Sequence, residues 1–164
     1  MVTVTTKVEI DAPIRHCFDL ARDIGIHTQT VWKHTKEKAI RGVTSGPIGQ
    51  GQTVTFEATH FGVRQRLTSL ITEYREPYLF VDEMQKGAFK KLRHVHEFEE
   101  IDGKTVMTDT LSFEAPLGII GRGVERLVLK EYMRKFLEHR NNELKKLAEQ
   151  TKSGAKAEQS DGKR

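Results

Sequence analysis

The stretch from Leu117 to Glu149 constrains the fold more than any other part of the chain. Ile120, Val124, Leu127, Val128, Tyr132, Met133, Phe136, Leu137, Leu144 and Leu147 recur there at three- and four-residue steps, the spacing that gathers side chains on one helical face. The remaining face is charged. From Val124 to Glu149 such a helix runs roughly 38 Å at a rise of about 1.5 Å per residue, long enough to cross a small domain. It therefore needs a broad apolar surface to lie against. Gly118, Gly121 and Gly123 crowd its entrance and predict irregular first turns, because glycine weakens a helix interior.

The upstream sequence supplies that surface as strands. Val2, Val4, Thr6, Val8 and Ile10 alternate with Thr3, Thr5, Lys7 and Glu9, the period of a half-buried strand. Asp11-Ala12-Pro13 breaks the pattern and starts a helix carrying Ile14, Cys17, Phe18 and Ala21 on one side. A second short helical or irregular stretch, 24–34, holds Trp32. Strands are predicted at 38–43, 53–60, 63–74, 78–85, 89–101 and 104–114, punctuated by Gly42, Ser45-Gly46-Pro47 and Gly49-Gln50-Gly51. Asp102-Gly103 is a two-residue hairpin signal, and Phe61-Gly62 marks another turn. Pro116 closes the last strand. This order is α+β: a curved antiparallel sheet of six to seven strands, two short helices after the first strand, and a long C-terminal helix. A strongly curved sheet holding one long helix leaves room for a small ligand between them.

A chain of 164 residues is read as one domain, 1–149, with a core large enough to need no staple. Cys17 is the single cysteine, which forbids an internal disulfide and fits a reducing compartment. The N-terminus lacks an apolar signal core and no run approaches the ~18 apolar residues of a membrane span, so a cytoplasmic location is expected. The formal charge is +4. Half of it comes from 150–164, where Lys152, Lys156, Lys163 and Arg164 face Glu158 and Asp161. That tail has no large apolar residue and is predicted to be disordered. The bias left on the domain is too weak to indicate nucleic acid.

Chemistry concentrates in the last three strands. Alternation sets Leu92, His94, His96 and Phe98 on one face, Met107, Asp109, Leu111 and Phe113 together on the next strand, and Phe80, Asp82 and Met84 on the one before. Four ionisable groups on apolar faces require an explanation, because a buried unpaired charge costs several kcal/mol. Mutual satisfaction of Asp82, Asp109, His94 and His96 is the ordinary account. A pocket wall that orients the polar end of an apolar ligand is the functional one, and acid–base catalysis by the histidines overlaps it. A His-x-His pair with two carboxylates also has donors for zinc or iron. With no further cysteine or fuller motif, no metal or cofactor is expected. Cys17 reads as a small buried hydrophobe, with no histidine placed by sequence to activate it as a nucleophile, and Trp32 as a packed aromatic beside a solvated His34, the alternative being that the two gate a pocket mouth. On the long helix, Arg122, Arg126, Lys130 and Arg134 form a basic stripe. Ion pairing with Glu125, Glu131 and Glu138 accounts for it, and peripheral membrane contact is the most it implies.

This layout resembles the helix-grip, START-like superfamily, also called SRPBCC, which includes polyketide cyclases, lipid-transfer domains and plant pollen allergens. Phe80-Val81-Asp82-Glu83-Met84, Gly87-Ala88-Phe89, His94-Val95-His96-Glu97-Phe98, Met107-Thr108-Asp109, Ala115-Pro116-Leu117-Gly118 and Arg140-Asn141-Asn142 are similar to the pattern of bacterial ligand-binding members of unassigned function. One departure is Leu92, where similar sequences often carry an aromatic. The resemblance implies a deep apolar cavity that binds a lipid, polyketide, sterol or aromatic compound. The expected ligand-binding residues are Phe56, Phe80, Asp82, Met84, Leu92, His94, His96, Met107, Asp109, Leu111, Val128, Tyr132, Met133 and Phe136. The rival readings are a cyclase, dehydratase or hydrolase using His94, His96, Asp82 and Asp109, and an interaction module like the superfamily's chaperone-ATPase activators. Fold alone does not decide among them.

Overall fold

The computed structural model describes residues 1–115, 123 and 128–161, with 153–161 described for the backbone alone. The alternating segments form strands β1 (Val2–Ile10), β2 (Lys38–Gly42), β3 (Thr53–His60), β4 (Val63–Arg75), β5 (Leu79–Lys86), β6 (Lys91–Ile101) and β7 (Lys104–Glu114). They make one antiparallel sheet of seven strands in the order β1-β7-β6-β5-β4-β3-β2. Every neighbour except β1 is therefore also a neighbour in sequence. Helices α1 (Ile14–Ala21) and α2 (Ile24–Thr30) and a 3₁₀ turn at Lys33–Thr35 fill the crossing from β1 to β2. The long C-terminal helix, α3, spans Lys130–Asp161.

Register irregularities at Ala39/Arg41, Thr68/Ser69 and Ile71/Glu73 bend β2 and β4, since a bulge increases local twist and curvature. The concave face closes on the helices. Leu137, Leu144 and Ala148 of α3 are buried, and the helix crosses β1, α1 and α2. Asn141, on the same face, donates from Nδ2 to Thr6 Oγ1 at 3.0 Å. Phe18 of α1 sits at the centre of one core, meeting Tyr74, Phe80 and Phe98 edge-on at centroid distances of 5.5, 5.6 and 5.4 Å. A second cluster joins Val2, Val4, Leu92, Leu111, Phe113 and Leu137.

Helix α3 runs past Glu149, where the sequence placed the domain boundary. Thr151 Oγ1 is 2.7 Å from His16 Nε2, and Lys152 Nζ donates to Asp11 Oδ1 at 2.7 Å. These polar contacts extend the packed part of the chain at least to Lys152, and the helical backbone continues through residues predicted to be disordered. Ile120, Val124, Leu127, Gly118, Gly121 and Pro116 lie outside the described residues, as do Arg122, Arg126 and Glu125 of the basic stripe. Within the described part, Arg134 Nε is 4.0 Å and Lys135 Nζ 3.6 Å from Glu131.

Both hairpin signals are two-residue turns with left-handed backbone: Phe61 and Gly62 at φ 51° and 75°, Asp102 and Gly103 at φ 51° and 76°. A Cβ on Gly103 meets nothing within 4 Å, so Gly103→Ala tests the backbone alone. Left-handed conformation costs an L-residue about 1–2 kcal/mol. Urea unfolding of Gly103→Ala is expected to show a loss of that size, and a midpoint equal to the parent's would mean that the hairpin relaxes freely.

Candidate functional site

Strand register assembles the polar cluster. Asp82 of β5 lies opposite His94 of β6, and His96 lies opposite Asp109 of β7, so the two carboxylates flank the two imidazoles. His96 Nε2 hydrogen-bonds to Asp82 Oδ2 at 3.2 Å, and His94 Nδ1 is 3.8 Å from the same oxygen. On the far side, His96 Nδ1 and His94 Nε2 are 2.6 and 3.4 Å from Asp109 Oδ1. Neither of these two contacts is a well-aligned hydrogen bond, and both are ion-pair approaches. The rings lie 3.8 Å apart between centroids, and Phe80 stacks on His96 at 4.1 Å.

Burial alone raises the Asp109 carboxyl. The His96 charge, the contact from His94 and that from His96 more than reverse this and hold it well below the usual carboxylate range. Asp82 behaves alike: burial raises it, and the neighbouring His96, His94 and Ser69 bring it below its ordinary value. Burial lowers both imidazoles, but the Asp109 charge returns His96 to above the ordinary histidine value. His94 stays below it, depressed by burial and by the charge on His96. Arg140 completes the cluster, with Nη1 3.5 Å from Asp109 Oδ2 and Nη2 donating to the Ala21 carbonyl at 3.4 Å. The two carboxylates thus face two imidazoles and a guanidinium, which is how a cluster this deep avoids the cost of an uncompensated ion.

The cluster is one corner of a cavity of about 330 Å³ between the concave sheet and α3. Of the residues expected to bind ligand, Phe56, Phe80, Asp82, Leu92, His94, His96, Leu111, Tyr132, Met133 and Phe136 line it. Four predicted residues take other places. Met107 is fully buried in the Phe18 core, and Asp109, with 0% of its surface exposed, lies behind the two rings. Met84 packs against the second core cluster, and Val128 is 49% exposed where the chain enters α3. All four obey the expected spacing, but spacing assigns a face and not a depth.

Several wall residues escaped the sequence reading. Arg140 is buried and reaches both the cavity and Asp109. Its signal was a charged residue three positions after Leu137 and four before Leu144, on the helical face that should be apolar. His27 stacks on Phe56 at 4.6 Å and contacts Glu37 Oε1 at 2.8 Å, making a second polar spot on the wall. His60 Nδ1 is 2.7 Å from the Tyr132 hydroxyl, and exposed Phe61 lies against Tyr132 at 4.4 Å, so this rim faces solvent. Trp32 packs edge-on against Tyr132 and Phe136 beside exposed His34, the packed-aromatic role expected of it. Cys17 is wholly buried and burial pushes its thiol up, which suits a core hydrophobe.

The family model for polyketide cyclase / dehydrase and lipid transport matches residues 1–149. The chain belongs to the polyketide cyclase/dehydrase and lipid-transport family. A search of curated protein sequences returns no match. Solved structures resemble this family member closely in shape. A START superfamily protein from Mycobacterium smegmatis superposes with a TM-score of 0.69 at 18% identity, over 91% of this chain and 98% of the other. A Thermus thermophilus protein gives 0.70 at 17% identity over 88% and 95%. The ginseng major latex-like protein 151 from Panax ginseng gives 0.65 at 11% identity over 90% and 97%. Identities this low establish the helix-grip, START-like fold. Among the described residues of this polyketide cyclase-like chain, no helix is long and apolar enough to cross a membrane.

Proposed function

We propose that the protein binds a small hydrophobic molecule, a lipid, polyketide or aromatic compound, between the sheet and α3, with the ligand's polar end toward Asp82 and His94. The supporting observation is the cavity: its wall is largely aliphatic and aromatic, with ionisable groups gathered at a few points. That is the usual make-up of a small-molecule site, and a volume of about 330 Å³ is near the lower end of the range for such sites, favouring a compact ligand. A cytoplasmic location and the absence of a nucleic-acid partner are part of this reading.

A naphthalene dye or a fluorescent fatty acid is expected to bind the native protein saturably at one site. Met133 lines the cavity, and Met133→Trp should fill space there and weaken the dye about tenfold, equivalent to about 1.4 kcal/mol, with the circular dichroism unchanged. A folded parent that takes up none of these probes removes the proposal. One specific observation favours a second reading. His94 reaches the cavity wall and burial lowers its imidazole below the ordinary histidine value, which favours the unprotonated form that a general base uses, so an identified ligand should be incubated with parent and His94→Gln protein and assayed for conversion.

A further inference from the structure

The two carboxylates of the cluster are not equivalent. Asp109 is sealed behind the rings and paired with Arg140. Asp82 lines the cavity together with His94 and His96. Among the described residues its ion-pair partners are the two imidazoles alone.

From this arrangement we propose that Asp82, His94 and His96 form a binding site for a divalent first-row transition metal, zinc or iron(II), with an open coordination position toward the cavity. One ligand atom from each of the three residues falls within 4.8 Å of the others. Donors bound at about 2.0–2.2 Å on one tetrahedral or octahedral ion lie about 3.0–3.5 Å apart. The separation of 3.2 Å between Asp82 Oδ2 and His96 Nε2 falls within that span, and 3.8 Å to His94 Nδ1 exceeds it slightly. His94 has to move slightly toward Asp82 to join the ion. A ligating imidazole usually turns its other nitrogen to a carboxylate, and here both rings have a carboxylate on that side. Asp109 lies on that side of both rings, 2.6 Å from His96 and 3.4 Å from His94, as an ion-pair approach, and Arg140 Nη1 is 3.5 Å from its other oxygen.

The donor set chooses the metal class. Two imidazoles and one carboxylate suit zinc, iron(II) and cobalt(II), whereas calcium and magnesium prefer oxygen throughout and copper(I) prefers sulfur. Cys17, the only cysteine, is buried in the Phe18 core. A three-ligand site leaves room for water or for an oxygen of the cavity's occupant, the arrangement of a metal site that acts on or orients a ligand.

The test uses the full, tag-free chain, stripped with chelator and titrated anaerobically with cobalt(II), followed by its visible absorption. Zinc is titrated separately by calorimetry. One equivalent of each is expected to bind, with zinc displacing cobalt and its colour. Asp82→Asn and His94→Gln, each checked by circular dichroism, should weaken zinc more than about 100-fold, because loss of an outer-shell partner alone costs about 10–100-fold. Asp109→Asn should fall within that smaller range. Failure of the parent to bind either metal stoichiometrically overturns the proposal. So does binding that survives both Asp82→Asn and His94→Gln, since the ion then sits on other histidines. Dye binding is read in the same preparations, so a protein that takes the dye and refuses the metal disproves this site and leaves the cavity reading standing.

Discussion

Asp109→Ala is expected to destabilise the protein by about 3–5 kcal/mol, the range for removing one partner of a buried ion pair. The sequence alone supports a smaller figure, about 1–3 kcal/mol, for leaving a histidine without its hydrogen bond. The structure raises it. Asp109 faces His94, His96 and Arg140 at once, and its loss leaves a buried guanidinium and two imidazoles without their carboxylate. Urea denaturation monitored by circular dichroism provides the measurement, with the slope expected to match the parent's. Asp109→Asn keeps the shape and removes the charge, and should lie between the two. An alanine variant as stable as the parent would show that water replaces the carboxylate and that the cluster is not sealed.

Phe18→Ala should cost a comparable amount, about 3–5 kcal/mol, the usual loss for a buried phenylalanine. Phe18 is wholly buried and touches three aromatic rings edge-on, so its removal opens a void where helix α1 meets the sheet. Total stabilities are about 5–15 kcal/mol, so the variant should be folded but close to its limit at 37 °C. The consequence extends beyond stability. Phe80, one of the three rings, stacks on His96, so the same variant should also change the ring environment at the polar corner. Histidine NMR resonances would report it. Unchanged stability would mean that α1 collapses into the void and that this aromatic cluster does not hold it.

Strand boundaries, both hairpins and the inward set of β6 and β7 follow from the sequence because each depends on a local rule. A period of two assigns faces, and Asp102-Gly103 supplies the left-handed backbone that its turn requires. The long helix follows from a period near 3.6, and the motifs around Asp82, His94, His96 and Asp109 point to the family. None of these rules contains a distance across the fold. Whether Asp109 lines the cavity with His94 or lies behind it depends on how far the bulged sheet curves, and that is set by packing against α1 and α3. Local spacing likewise placed Met107 on the right face and could not say that Phe18 and Ile10 would enclose it. Arg140 was visible as a charge on an apolar stripe, but the carboxylate that makes its burial tolerable stands 31 residues away in sequence. Depth, charge balance and the three convergent donors at Asp82 arise only when separate strands and the helix meet, because electrostatic and packing energies depend on through-space distance and not on position along the chain.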